Sequence, residues 1–130
     1  MTAYLLDTNA FAMALIDDPR LPPHARDLMI GASRLAVSVI SFYEIGQKVR
    51  LGKWPEMASH IATLEGQAIA DGFDLVPLTA STAVAASLLD WAHRDPFDRM
   101  IAAVAQHEAL PVVSSDTAFD DIDVTRYWAG

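Results

Sequence analysis

Cysteine is absent from all 130 residues. That excludes a disulfide scaffold, a thiol nucleophile and a thiolate zinc site. No apolar run approaches the roughly 20 residues that a membrane helix needs. The opening Met1-Thr2-Ala3-Tyr4 carries no basic cluster, so no signal peptide is expected. These absences set the expectation of a cytoplasmic protein. Basic residues are scarce: 9 Lys+Arg face 17 Asp+Glu, a formal charge of -8. Phosphate binding draws on Lys and Arg, so this balance taken alone argues against a nucleic-acid partner. Charge of either sign is limited to 20% of residues, whereas 52% are hydrophobic, too apolar a mixture for a disordered chain. Repeats, low-complexity tracts and linkers are also missing, and the length suits a single domain over 1–130 with one core.

Apolar periodicity alternates between strand and helix signals. Tyr4-Leu5-Leu6 reads as a strand stopped by Asp7-Thr8-Asn9, with a helix from about Ala10 to Ile16. His24 to Ala32 reads as a short helix and Leu35 to Ile40 as a buried strand. Ser41-Phe42-Tyr43-Glu44 matches a capping box, opening a helix that Gly52 ends. Trp54-Pro55 opens a further helix, with Met57, Ile61, Leu64, Ala68 and Ile69 at helical spacing and Gly72 as its stop. Phe73 to Val76 is the third strand. Thr79 to His93 reads as a helix with Val84, Leu88 and Trp91 near one stripe. Asp95-Pro96-Phe97-Asp98 starts another helix, Asp95 at the N-cap and Pro96 at the first position, running to about Glu108. Pro111 to Ser114 is a fourth strand, and Ile122 to Tyr127 a candidate edge strand. Strands alternating with helices imply an α/β fold, with a mostly parallel sheet of four or five strands.

In such sheets ligands bind beyond the carboxyl ends of the strands. Asp7 directly follows the first strand and Asp116 the fourth. Glu44 lies near the start of the helix after the second strand, and Asp98 in the first turn of a later helix. Four carboxylates converging there would repel one another, and a hard divalent cation resolves that repulsion. Oxygen donors without cysteine or paired histidine point to Mg²⁺, with Mn²⁺ as the alternative. Water on such an ion is a nucleophile towards phosphorus, so phosphodiester hydrolysis is the natural chemistry. Each acid also has a plain structural reading. Asp7 or Thr8 serves as an N-cap of the first helix, and Glu44 as the return partner of Ser41. Asp98 complements a helix dipole and Asp116 caps a turn at Thr117. The convergence of all four is what those separate readings explain poorly.

Four ordered segments resemble the PIN-domain ribonucleases, most closely the VapC-type toxins of toxin–antitoxin pairs. They are Leu5-Leu6-Asp7-Thr8-Asn9, Ser38 to Ile45, Asp95 to Ala103, and Ser114 to Phe119. The resemblance implies a three-layer α/β/α fold and a Mg²⁺-dependent endoribonuclease. It carries Asp7, Glu44, Asp98 and Asp116 over as catalytic, metal-holding acids, with Thr8 and Ser115 as neighbouring hydroxyls. It also implies a homodimer and a cognate VapB-type antitoxin that supplies any DNA binding. An acidic pocket would then meet RNA through metal and a local groove, and would suit a basic antitoxin segment.

Other residues carry weaker signals. Arg99 is a candidate for a substrate phosphate or a site carboxylate, with an ordinary surface arginine as the alternative. Lys48 pairs with Glu44 at i,i+4 or, with Arg50 and Lys53, forms an edge for RNA. His24, His60, His93 and His107 lack paired metal spacing and read as surface or boundary residues. Trp54, Trp91, Trp128, Met13, Met29 and Met57 read as packing residues. The rival reading is a receiver-like or non-catalytic acidic Mg²⁺-binding signalling domain. A receiver would show adjacent acids after the first strand and a Lys after the last. Here Asp7 stands alone, and no Lys follows Lys53.

Overall fold

The structure is a computed structural model and describes residues 2–130. The chain runs β1 (Ala3–Leu6), α1 (Thr8–Leu15), α2 (Pro23–Gly31), β2 (Arg34–Ser38), α3 (Ile40–Arg50), a 3-10 segment (Pro55–Thr63) and α4 (Leu64–Ala70). It continues through β3 (Asp74–Val76), α5 (Ala80–Leu88), α6 (Pro96–Glu108), β4 (Val112–Val113), a second 3-10 segment (Thr117–Asp121) and β5 (Arg126–Tyr127). The five strands are all parallel, in the order β3-β2-β1-β4-β5.

Alternation along the central strands divides the core in two. Tyr4, Leu6, Val37 and Val113 point into one cluster, where Ala10, Phe11 and Leu15 of α1 and Ile45 of α3 cover them. Leu5, Ala36, Val76 and Val112 point the other way, onto Ile101, Ala102, Val104 and Ala105 of α6. A parallel sheet must bury both faces, and the near-continuous apolar strands reflect that. The result is the α/β/α layering expected from the sequence.

Gly52 (φ 72°) and Gly72 (φ 87°) adopt the left-handed conformation just past the helices they were expected to stop.

Three expectations need correction. The capping box does not form: Val39 occupies the N-cap position of α3, and the Ile40 amide donates to the Ser38 hydroxyl at 3.2 Å. Ser41 is buried within the helix and Glu44 pairs elsewhere. The segment after Trp54 is 3-10 as far as Thr63, and its tighter winding breaks the 3.6-residue stripe. Met57, Leu64 and Ala68 are buried, while Ile61 and Ile69 are exposed. The helix expected over Thr79 to His93 ends at Leu88, and its buried face is Thr82 and Ala86 rather than Val84 and Leu88. Small side chains let α5 approach α6 closely, which turns the bulky ones outward.

Candidate functional site

The strand order makes β1 the turning point of the topology. The chain builds β2 and β3 on one side of it, then β4 and β5 on the other. The crevice for a ligand opens where the order reverses, beyond the ends of β1 and β4. Leu6 and Val113 are paired in register, and the Asp7 amide extends the ladder to the Val113 carbonyl at 3.2 Å. Asp7 and Ser114 therefore leave the sheet side by side.

Asp7 is both a cap and a site residue. Its Oδ1 accepts from the Ala10 amide of α1 at 2.8 Å, and its Oδ2 accepts from the Ser114 hydroxyl at 2.5 Å. Burial pushes its pKa up from 3.8 to about 7, and these two hydrogen bonds only partly offset that. The charges of Asp98 and Glu44 raise it further. Glu44, buried on α3, pairs through Oε2 with Lys48 at 2.8 Å. Its Oε1 is buried with no hydrogen-bond partner among the described residues.

Asp98 sits in the first turn of α6 because Asp95 caps that helix. Asp95 Oδ1 accepts from the Phe97 and Asp98 amides at 2.9 and 3.3 Å, and Pro96 takes the first position, where no amide is needed. Burial raises the pKa of Asp98 from 3.8 to about 6, with Asp95 and Asp116 adding repulsion and His93 opposing it. Asp116 follows β4 and caps the 3-10 turn, accepting from the Ala118 amide at 2.9 Å. The His93 ring closes the group: its Nε2 lies 2.7 Å from Asp98 Oδ2 and 4.0 Å from Asp116 Oδ2. One ligand atom from each of these three residues lies within 4.8 Å of the others.

Asp7, Glu44, Asp98 and Asp116 stand towards one end of the sheet, but the group of ligand atoms within 4.8 Å of one another takes in Asp98 and Asp116 with His93, not Asp7 or Glu44. The structure departs from expectation at smaller residues. Ser115 is exposed, and the hydroxyl on Asp7 belongs to Ser114. Thr8 is buried and donates to Ser41 Oγ at 2.9 Å, one residue from the site carboxylate. Arg99 faces away from the acids. Its five N–H groups donate to the carbonyls of Ala86, Ser87, Leu89, Trp91 and His93, so neither a phosphate nor a carboxylate role is left for it. Lys48 takes the ion-pair reading and also lies over the Trp54 ring, 5.4 Å from its centroid. His93 is the residue that sequence reasoning missed. Its only signal was proximity in the chain to Asp95 and Asp98.

This donor set fits a divalent cation. Buried carboxylates raise one another's pKa, and the Glu44 Oε1 atom is desolvated without a partner, a cost that a bound cation removes.

Comparisons with known proteins bear on the fold and the family. The family model of the PIN domain matches residues 4–124. VapBC2 from Rickettsia felis, solved with a DNA fragment from its promoter, superposes with a TM-score of 0.69 at 18% identity, covering 98% of this chain and 99% of that one. VapBC from Salmonella typhimurium, also DNA-bound, gives 0.68 at 22% identity over 98% of each chain. VapC20 from Mycobacterium tuberculosis, described as a sarcin-ricin loop cleaving toxin, gives 0.69 at 15% identity, covering 96% of this chain and 98% of that one. Among curated proteins none matches in sequence. With the family's model spanning nearly all of the chain, and the same fold in these structures, the protein belongs to the PIN domain family.

Proposed function

We propose that this protein is a divalent-metal-dependent endoribonuclease and the toxin of a VapBC-type pair, with Mg²⁺ or Mn²⁺ as its metal. The observation that carries the reading is the group of four acids at the switch point, with a buried and unpartnered oxygen on Glu44. Asp7, Glu44, Asp98 and Asp116 would hold the ion. When bound, such a cation supplies a Lewis acid and an acidified water for hydrolysis of a phosphodiester. Ser114 fixes the Asp7 carboxylate, and the Thr8–Ser41 hydrogen bond ties the start of α1 to α3 beside it. Asp116, the most exposed of the four acids, would take a proton from the attacking water.

A groove of about 510 Å³ runs from Glu44 past Leu51, Lys53, Arg94, Pro96 and Phe97. Lys53 and Arg94 are exposed, and the Phe97 ring lies 6.0 Å from that of Tyr43. Cations beside an aromatic pair suit the phosphates and bases of a single strand, which supports RNA despite the acidic total. VapC20 is described as cleaving the sarcin-ricin loop. The VapBC relatives support a VapB-type antitoxin, whose basic segment would find the acidic site complementary. Val84 and Leu88, exposed on α5, offer apolar surface for the homodimer that belongs to this reading.

The test is RNA cleavage with added Mg²⁺ or Mn²⁺, with an EDTA control, by the parent and by Asp7→Asn. The amide keeps an oxygen to cap α1, so the fold is retained while the charge is lost. Cleavage should require the metal and vanish in Asp7→Asn. Cleavage by Asp7→Asn at the parental rate would overturn the assignment.

A further inference from the structure

We infer that His93 is a nitrogen ligand of the divalent ion, joining Asp98 and Asp116, and that it biases the site towards Mn²⁺ over Mg²⁺. This rests on the metal-site reading above. The Nε2 atom already lies 2.7 Å from one carboxylate and 4.0 Å from the other, with all three donor atoms within 4.8 Å. Independently, Glu44, whose Oε2 pairs with Lys48, keeps a buried Oε1 with no hydrogen-bond partner among the described residues, and its charge bears on Asp7 together with that of Asp98.

The imidazole is held in place rather than free to wander. Its ring packs on Trp91 at 4.9 Å between centroids. Trp91 in turn donates from its indole N–H to the Ala118 carbonyl at 3.1 Å and lies 5.6 Å from the Phe119 ring. Arg99 Nη1 holds the backbone here, donating to the Trp91 carbonyl at 2.8 Å and to that of His93 at 3.0 Å. A surface histidine has no need of such support. A metal ligand does, because donor atoms must be held in position before the ion arrives.

The chemistry follows from donor type. Mg²⁺ prefers oxygen donors and retains waters, whereas imidazole favours the transition-metal ions, Mn²⁺ being the weakest-binding of that series. His93 Nε2, which hydrogen-bonds Asp98 Oδ2 at 2.7 Å, would offer its lone pair to such an ion.

The experiment uses the full chain loaded with Mn²⁺. Electron spin-echo modulation should show a coupling to a directly bound nitrogen, one that changes when histidine is labelled with ¹⁵N and is lost in His93→Gln. The glutamine amide of that variant keeps an N–H donor for Asp98, so it preserves simple positioning while removing the imidazole. Calorimetric titration of His93→Gln should show Mn²⁺ binding weakened about tenfold or more, with Mg²⁺ binding nearly unchanged. Absence of the ¹⁵N-sensitive coupling in the parent, or equal loss of both ions in the variant, overturns the inference and makes His93 a positioning residue for Asp98. Metal-dependent RNA cleavage would stand in that case. A parent chain that binds neither ion overturns both readings.

Discussion

One hydroxyl is the main influence favouring the charged form of the Asp7 carboxylate. Desolvation drives its pKa to about 7, and the Ser114 hydrogen bond is the largest opposing influence. Removing that hydroxyl in Ser114→Ala should raise the pKa of Asp7 further. It also strips a partner from the Asp116 amide, which donates to Ser114 Oγ at 2.9 Å. Metal affinity should therefore fall near neutral pH and recover in more alkaline buffer, because protons compete with the ion for Asp7. Ser115→Ala, at an exposed position, should leave the titration unchanged. Metal titrations of both variants from pH 6 to 9, roughly spanning the raised pKa, check this; equal behaviour of the two would refute the Ser114 role. The same pair shows what could be read from the sequence alone. Two of the acids directly follow strands, so the parallel sheet fixes their edge. The choice between adjacent serines depends on which way the chain turns after β4, and no spacing encodes that. His93 was hidden for a related reason, since it lies in an irregular segment whose path is set by contacts from another element.

That other element is α6. Arg99 extends back from its first turns and gathers carbonyls at the end of α5 and along the connection that follows. The helix expected to reach His93 stops at Leu88, and Arg99 satisfies carbonyls that further helical turns would otherwise have used. Propensity favoured continuing; a tertiary guanidinium won. The same limit explains α5's stripe. Amphipathic spacing located the helix, but close packing against α6 selected its small face for burial and left Val84 and Leu88 outside. Cap chemistry was more legible where it is purely local: Asp95-Pro96 set the start of α6 as read. Arg99→Met should leave several carbonyls without a partner and cost about 2–4 kcal/mol of stability, since hydrogen bonds from a charged donor are the costly ones to lose. Denaturant midpoints give the size, and faster amide exchange over 89–94 would place the loosening in the connection. Unchanged stability with weakened RNA binding would instead restore the phosphate role expected for Arg99 from the sequence.

For the molecule as a whole, burying like charges makes stability depend on pH and on metal together. The folded chain keeps protons on Asp7 up to about pH 7 and on Asp98 up to about pH 6, whereas their ordinary value is 3.8. Between those limits the native state binds more protons than the unfolded state, so the metal-free protein loses stability as pH rises. For Asp7 alone the loss is about 4 kcal/mol, complete once pH passes its raised pKa. Asp18 and Asp120 act in the opposite sense. Arg20 and Arg126 hold them below the usual carboxylate range, so their contribution disappears only as pH falls below their ordinary 3.8. The metal-free Tm should therefore be highest near pH 4, roughly where these two windows meet, and should fall towards pH 8. A divalent ion changes the slope, because it neutralises the carboxylates that repulsion destabilises. Mn²⁺ should raise the Tm strongly at pH 8 and little at pH 5, where protons already occupy Asp7 and Asp98. Calorimetric scans with and without Mn²⁺ across this range measure both effects. An equal rise in Tm at pH 5 and pH 8 would mean that the ion binds away from these acids. The net charge of -8 then has a structural meaning: part of it is concentrated where the fold is least able to bear it without a cation.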